Sequence, residues 1–152
     1  MMATREAVGA VVTQGSNFII VHKQNINTKS GRETIHGMWD FVKGGVERGD
    51  VDLESAIRRE LLEETGSSKY RLKKSFHEPI TFEFPQAIQR KIGYDNQVTT
   101  MFHFEYYGKK RDLKPNDLEI NEIRIVHQHE LVDVLAHQES KDFVLKNLSD
   151  LL

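Results

Sequence analysis

The sequence predicts a single α/β domain over residues 1–152, because three kinds of signal follow one another along the chain. Runs rich in β-branched and aromatic residues, typical of strands, recur through residues 7–126. One amphipathic helix pattern interrupts them between residues 50 and 66. Apolar residues then recur at helical spacing over residues 131–151. A content of 38% hydrophobic and 29% charged residues is ordinary for one globular domain.

The overall charge and the cysteine content narrow the functional classes. A formal net charge of −2 gives no electrostatic case for broad nucleic-acid binding, although it is compatible with a site for a nucleotide or an RNA end. The sequence contains no cysteine, so a reducing cytoplasm is the expected location. No apolar run is long enough for a signal peptide or a membrane span. We therefore expect a cytoplasmic protein without membrane contact.

The first predicted elements are a β-hairpin, a long loop and a short strand. Residues 7–13 and 18–23 flank Gln-Gly-Ser-Asn, which is a typical turn sequence. Residues 24–37 are largely polar and predict a long loop. Residues 38–42 return as a short strand that contains the only tryptophan, Trp39. Two roles remain open for this side chain, namely core packing and a place on the wall of a substrate pocket.

The mid-chain helix has recognisable ends and one apolar face. Asp50 or Asp52 can act as the N-cap, and Gly66 is a typical C-terminal stop. The apolar face consists of residues at helical spacing: Leu53, Ala56, Ile57 and Leu61. The pattern predicts one short amphipathic helix.

Three glutamates on this helix are not explained by helix formation. Glu60, Glu63 and Glu64 lie at positions i, i+3 and i+4, where like charges repel by about 0.2–0.5 kcal/mol per pair. Acidic residues near a helix C-terminus also oppose the helix dipole. A bound divalent cation would reverse both effects, because hard cations take several oxygen ligands. The alternative is a solvated charged face.

The second half of the chain alternates strands with polar connections. Strands are predicted at residues 70–77, 79–84, 98–107 and 122–126, with loops at 85–96 and 108–118. Apolar spacing in the tail predicts helices around residues 131–135 and 143–151.

A glycine-rich loop, KGGVERG, precedes the mid-chain helix, and together they resemble the signature of the Nudix hydrolases. That signature is a glycine, five residues, a glutamate, seven residues, and then Arg-Glu-apolar-x-Glu-Glu-x-Gly-apolar. Gly44 takes the first position and Asp50 that of the first acid. The core of the signature is matched in full by six residues: Arg59, Glu60, Leu61, Glu63, Glu64 and Gly66. The departures are aspartate at position 50, an eight-residue spacing before Arg59, and Ser67 in place of an apolar residue.

The resemblance implies a fold and a chemistry. The fold is an α/β/α sandwich around a mixed β-sheet, and the reaction is metal-dependent hydrolysis of a phosphoanhydride. The resemblance gives Mg²⁺ or Mn²⁺ as the cofactor, with Glu60, Glu63, Glu64 and the carbonyl of Gly44 as ligands. Arg59 is expected to orient a glutamate, although a plain surface ion pair is the alternative.

Family members usually add one acidic residue from a loop before the last strand. Counting back six residues from Ile125 gives Glu119 as this catalytic or metal-binding acid, and Glu122 is the competitor. The residue that accepts the proton of the attacking water varies within the family. Glu60 and Glu119 are both open for this role.

The substrate is expected to be a nucleotide, and four residues are candidates for binding it. Lys43 resembles the Lys-Gly-Gly lysine of dinucleoside polyphosphate hydrolases, and Phe84 takes the place of a stacking tyrosine in them. Tyr94 lies in a segment similar to RNA 5′-pyrophosphohydrolases, and Trp39 could stack on a base. Dinucleoside polyphosphates (diadenosine tetraphosphate) and RNA 5′-triphosphate ends are therefore the leading substrates.

Two other functions stay open at this stage. One is a nucleoside triphosphate or nucleotide-sugar pyrophosphatase. The other is a non-catalytic nucleotide sensor on the same fold, against which the complete set of three glutamates argues. A monomer and a homodimer are both compatible with the sequence.

Overall fold

The computed structural model describes the backbone of residues 3–28, 30–116 and 119–152, and their side chains except at 25–28 and 32–36. The described strands are β1 (Thr4–Gln14), β2 (Asn17–Thr28), β3 (Gly31–Asp40), β4 (Val42–Gly45), β5 (Tyr70–Ser75), β6 (Ile80–Glu83), β7 (Asn96–Tyr106) and β8 (Ile120–His127). The helices are α1 (Leu53–Thr65), α2 (Gln86–Ile92), α3 (Gln128–Val134), α4 (Gln138–Leu151) and a short 3₁₀ turn (Lys110–Asp112). None of the described helices is both long and apolar enough to cross a membrane.

The strands form one mixed sheet, as the resemblance implied. Five of them lie in the order β3-β2-β1-β7-β5, while β4 pairs with β1, β6 with β7, and β8 with β2. The β1–β7 pair is parallel, and the other pairs are antiparallel. The predicted first hairpin is confirmed, with Gly15 at a φ of 63° in its turn. That left-handed conformation favours glycine.

Helices cover both faces of the sheet because strand side chains alternate between them. On one face, Val8 and Ala10 of β1 belong to a buried cluster with Ile57 and Leu61 of α1. On the other face, Val11 of β1 belongs to a cluster that includes apolar residues of β2, α3 and α4: Phe18, Ile20, Leu131, Phe143 and Val144. The layers are therefore helix, sheet and helix.

The mid-chain helix forms as predicted, and its N-cap is Asp52. The Asp52 carboxylate accepts a hydrogen bond from the Ser55 backbone N–H at 2.7 Å. Gly66 ends the helix in the left-handed conformation (φ 73°), and its N–H donates to the Leu62 carbonyl. Asp50 stays outside the helix, and its carboxylate accepts hydrogen bonds from Arg59.

The predicted loop at residues 24–37 is wrong. Strand β2 continues to Thr28 and β3 begins at Gly31, so most of this segment is a two-stranded extension of the sheet. Lys29 lies outside the described residues. Pairs such as Asn25 with Thr34 continue the ladder. Backbone pairing satisfies the N–H and C=O groups without an apolar face, so hydrophobic periodicity carries no signal here.

The predicted loop at residues 85–96 is also wrong, because α2 occupies Gln86–Ile92. This helix has only seven residues and buries none of them, so it produces no apolar stripe. Its boundary signals are nevertheless present in the sequence. Pro85 stands at the N-cap, and Gly93 ends the helix at a φ of 85°.

Candidate active site

A cleft of about 1550 Å³ lies where α1, β4, β6, α2 and the residues before β8 meet. One side carries the carboxylates that we call the acidic wall: Glu60, Glu63, Glu64 and Glu119. Another side carries apolar and aromatic residues that we call the aromatic wall: Phe82, Phe84, Ile88 and Tyr94. The structure therefore brings three of the four predicted substrate-binding residues, Lys43, Phe84 and Tyr94, into one cavity with the predicted metal ligands.

Arg59 holds the acidic wall together without lining the cleft. Its Nε and Nη2 donate to the two oxygens of Asp50 at 2.9 and 3.0 Å, and Nη2 also donates to the Gly45 carbonyl at 3.0 Å. Its Nη1 donates to Glu60 at 2.8 Å and to Glu63 at 3.3 Å. These hydrogen bonds raise the pKa of Arg59 further, with the Asp50 bond as the largest cause. Arg59 therefore fixes the directions of two glutamates and of the glycine loop.

Asp50 is held in the same interaction from the loop side. The Arg59 guanidinium and the Glu47 backbone N–H, which donates to Asp50 at 2.7 Å, keep the pKa of the Asp50 carboxyl below its usual value. An aspartate at this position, followed by the eight-residue spacing, therefore still reaches the arginine. The departure from the Nudix pattern is accommodated in the loop before α1.

Glu60 is the most strongly perturbed acid of the cleft. Glu60 is 8% exposed, and burial raises the pKa of its carboxyl to about 7. The hydrogen bond from Arg59 acts in the opposite direction and lowers this pKa. The nearby charges of Glu63 and Glu119 raise this pKa further. Glu64 is even more buried, at 1% exposed, whereas the Glu63 side chain is 45% exposed. Carboxylates kept out of water near other carboxylates favour a proton or a cation.

Gly44 gives the acidic wall its shape. A Cβ atom at this position would overlap the carboxylate of Glu60, so any side chain here would displace that group. Strand β4 pairs with β1, with Gly44 opposite Val8. The Glu60 carboxylate therefore occupies the space that a side chain at position 44 would fill.

The donor set of this wall suits a hard divalent cation. Three carboxylates and the Gly44 carbonyl are the oxygen donors that Mg²⁺ and Mn²⁺ bind. In residues 3–28, 30–116 and 119–152, no three acidic or histidine side chains converge on one point as they stand. The hydrogen bonds from Arg59 to Glu60 and Glu63 direct two of these carboxylates towards the guanidinium. Binding a cation would require rotation of at least one of them.

The structure places Glu119 and Glu122 differently. Glu119 lines the cleft, lies 3.8 Å from the ammonium of Lys23, and is close enough to Glu60 to influence its pKa. Glu122 is exposed on β8, opposite His22 of β2, and does not line the cleft. Of the two candidates for the loop acid, only Glu119 therefore lines the cleft.

Lys43 precedes Gly44 on β4 and is engaged by residues that the sequence did not single out. Its Nζ donates to the hydroxyl of Ser140 at 2.8 Å and pairs with the Asp40 carboxylate at 3.0 Å. Asp40 and His137 also line the cleft. These partners come from β3 and from the start of α4, so no local motif could have indicated them.

The aromatic residues divide between the cleft and the core. The rings of Phe82 and Phe84 meet edge-on with centroids 4.9 Å apart, and Tyr94 is 38% exposed beside them. Trp39 does not line the cleft. Its ring packs against the cluster of α3 and α4, near His22 and under the guanidinium of Arg124. The structure therefore favours the packing role for Trp39, and Phe82 is an aromatic cleft residue that the sequence analysis missed.

Solved structures share this fold over nearly the whole chain. The MutT protein from Methanosarcina mazei Go1 superposes with a TM-score of 0.72 at 19% identity, covering 98% of this chain and 96% of that one. An Ap4A hydrolase from C. elegans gives a TM-score of 0.70 at 14% identity, with 97% of each chain covered. The predicted α/β fold with a mixed sheet and flanking helices is thereby confirmed.

Sequence comparisons identify the family. An RNA pyrophosphohydrolase of Bartonella bacilliformis is 28% identical over 118 residues, which cover 76% of this chain and 69% of that protein. An RNA pyrophosphohydrolase of Nitratiruptor sp. is 31% identical over 104 residues, which cover 67% of this chain and 66% of that protein. The family model for the NUDIX domain matches residues 3–147. The chain therefore belongs to the Nudix family, and it is a Nudix pyrophosphohydrolase.

Proposed function

We propose that this protein removes phosphates from the 5′-triphosphate end of RNA by hydrolysing a phosphoanhydride bond. The observation that carries the proposal is one cleft with carboxylates on one side and aromatic residues on another. A 5′ end of RNA presents a polyphosphate directly beside a nucleobase, so it needs both surfaces at once. The RNA pyrophosphohydrolases that resemble this chain support this substrate.

The acidic wall would act on the phosphates. Glu60, Glu63, Glu64 and the Gly44 carbonyl would hold a divalent cation, which we propose to be Mg²⁺ or Mn²⁺. When bound, such an ion neutralises phosphate charge and lowers the pKa of a bound water. Arg59 holds the carboxylates of Glu60 and Glu63 at the edge of the cleft, from which at least one would rotate to bind the cation. Glu60 and Glu119 are the candidates to accept the proton of the attacking water, because both line the cleft.

The remaining cleft residues would bind the substrate. Lys43 would place its ammonium on a phosphate oxygen, as a compact point charge. Phe84 would offer a ring for stacking the first base, and Tyr94 would contact the base or the ribose. Lys91, which also lines the cleft at the end of α2, adds positive charge near the aromatic wall. Stacking on aromatic side chains is the usual way to bind unpaired bases.

A second candidate substrate is a dinucleoside polyphosphate. Lys43 followed by two glycines favours it, and so does the fold shared with the C. elegans Ap4A hydrolase. Such a molecule also joins a polyphosphate to a base, so the cleft alone does not separate the two substrates. Their products do.

The experiment is hydrolysis of a substrate panel with Mg²⁺ or Mn²⁺, with the products separated by chromatography. The panel contains a 5′-triphosphorylated RNA, diadenosine tetraphosphate, ADP-ribose and the common nucleoside triphosphates. We expect conversion of the RNA to its 5′-monophosphate, with pyrophosphate or phosphate released. Preferential cleavage of diadenosine tetraphosphate would replace the RNA proposal by the second candidate.

Two controls make this panel decisive. Glu64→Gln should remove turnover, which excludes a contaminating phosphatase. EDTA should also remove it. Nucleotide binding that survives Glu64→Gln, together with no turnover of any substrate by the unmodified protein, would contradict an enzymatic role and favour a sensor.

A further inference from the structure

The first turn of α4 reaches the cleft through a fully buried serine. Ser140 is 0% exposed, and its hydroxyl lies between Lys43 and Asp40. It accepts a hydrogen bond from Lys43 Nζ at 2.8 Å and donates one to Asp40 Oδ1 at 2.9 Å. The hydroxyl thus uses both its acceptor and its donor capacity on residues of the cleft wall.

Asp40 completes this arrangement from the end of β3. Its Oδ1 also accepts a hydrogen bond from the Phe41 backbone N–H at 2.8 Å, and its Oδ2 pairs with Lys43 at 3.0 Å. The side chains of Lys43 and Asp40 are only 12% and 13% exposed. A charged pair this far out of water needs good geometry and additional hydrogen bonds to be stable. Ser140 supplies one such bond to each partner.

Two fixed acceptors restrict the direction of an otherwise flexible ammonium. A lysine side chain has four rotatable carbon–carbon bonds, and it loses about 1.5–2 kcal/mol of rotamer entropy when it is ordered. An ammonium has three donors. Among the described residues, Ser140 and Asp40 take two of them, which leaves one for a phosphate oxygen.

We propose that Ser140 is a positioning residue, through which the C-terminal helix α4 sets the orientation of Lys43 for phosphate binding. This inference rests on the proposed role of Lys43 in substrate binding. The serine itself does not touch substrate, because it is fully buried. Its effect reaches the substrate only through the Lys43 ammonium and the Asp40 carboxylate.

The first test is a double-mutant cycle on the hydrolysis of triphosphorylated RNA. Ser140→Ala should raise KM about fivefold and change kcat less than twofold, a size within the usual coupling of contacting residues. In the Lys43→Met background the same substitution should raise KM no further, since no ammonium remains to be oriented. Ser140→Thr, which keeps the hydroxyl, should restore much of the lost affinity. Equal effects in both backgrounds would overturn the proposal.

Ser149→Ala is the matched control for this cycle. Ser149 lies on the exposed side of the same helix, so its substitution makes the same chemical change away from the cleft. It should leave KM and kcat unchanged. A rise in KM as large as that of Ser140→Ala would overturn the proposal, because it would show a general effect of α4.

The second test does not depend on activity. Limited acetylation followed by mass spectrometry compares the labelling rate of Lys43 with that of Lys109, which is exposed and remote from the cleft. Ser140→Ala should increase the relative labelling of Lys43 at least about threefold, because one of its two acceptors is lost. An unchanged ratio would overturn the inference. If the unmodified protein hydrolyses nothing in the panel, the proposed function fails, whereas the labelling ratio still decides the role of Ser140.

Discussion

The acidic wall and the aromatic wall of the cleft are built in opposite ways. Three of the four acids come from one helix, within a span of five residues, and Arg59 of the same helix holds two of them. The aromatic wall combines residues of β6, of α2 and of the segment after it, and its core contact is the edge-on pair of Phe82 and Phe84. The three glutamates of α1 therefore share one helix, whereas the aromatic residues come from consecutive segments of different structure.

The two walls also differ in their energetic effect on the fold. Burial disfavours ionised Glu60, and Glu63 and Glu119 add repulsion, so the acidic wall is not what stability alone would select. Packing of Phe82 on Phe84 removes apolar surface from water and stabilises the fold. We therefore expect substitutions in the acidic wall to reduce kcat, and substitutions in the aromatic wall to raise KM.

The largest expected effect is that of Glu64→Gln. Loss of one cation ligand should lower kcat by at least about 10³-fold. The melting temperature of the metal-free protein should stay equal or rise, because the substitution removes repulsion among neighbouring carboxylates. Steady-state kinetics and thermal unfolding in EDTA measure the two quantities.

Glu54→Gln on the same helix is the control for this prediction. Glu54 pairs with Arg58 at 2.9 Å and does not line the cleft, so kcat should be retained. A large fall in melting temperature with Glu64→Gln would show instead that Glu64 is structural, and the contrast between the walls would fail.

The pH dependence of stability is the next largest effect. Because the pKa of Glu60 is about 7 in the folded protein and about 4.5 when unfolded, the folded state binds the proton more tightly. Stability from this group is full below pH 4.5 and is lost as the pH rises through about 7. In EDTA, the free energy of unfolding should fall by about 3 kcal/mol more across this window than in Glu60→Gln. The free energy of unfolding is measured by urea titration at each pH. The same dependence on pH in the unmodified protein and in Glu60→Gln would contradict this prediction.

The three α1 glutamates of the acidic wall could be predicted from the sequence because they are neighbours on one helix. Local patterns place Glu60, Glu63 and Glu64 on one helix and predict its end at Gly66. The mixed α/β fold follows from the family resemblance that these patterns carry. The choice between Glu119 and Glu122 as the loop acid could be made only from the fold, because only Glu119 lines the cleft.

Several other features of the fold and the cleft could not be predicted, for physical reasons. Helix α2 is short and buries no residue, so it lacks an apolar period. The β2–β3 extension is held by backbone pairing, which polar sequences also support. Ser140 reaches Lys43 across 97 positions of sequence. Trp39 packs against the cluster of α3 and α4 and does not line the cleft, and this depends on tertiary packing.

A smaller effect separates Glu119 from Glu122. Glu119→Gln should lower kcat about tenfold or more, because it removes one of the carboxylates of the acidic wall. Glu122→Gln makes the same change on the exposed side of β8 and should leave kcat within about twofold. Kinetics of the two variants, measured side by side, give the ranking. The reverse ranking would move the loop acid to Glu122.

The smallest effect is expected at the aromatic wall. Phe84→Leu keeps apolar volume but removes the aromatic face, so KM for the RNA should rise about fivefold. This rise corresponds to the lower end of the binding free energy gained by stacking one base on an aromatic ring. Phe84→Tyr keeps the ring and should stay within about twofold of the original KM. In both variants kcat should change little, because Phe84 is not among the proposed cation ligands. Equal KM values for leucine and tyrosine would mean that Phe84 only fills space. A fall in kcat approaching that of Glu64→Gln would mean that the two walls do not act separately, because the aromatic side would then be positioning the reacting phosphate as well as the base.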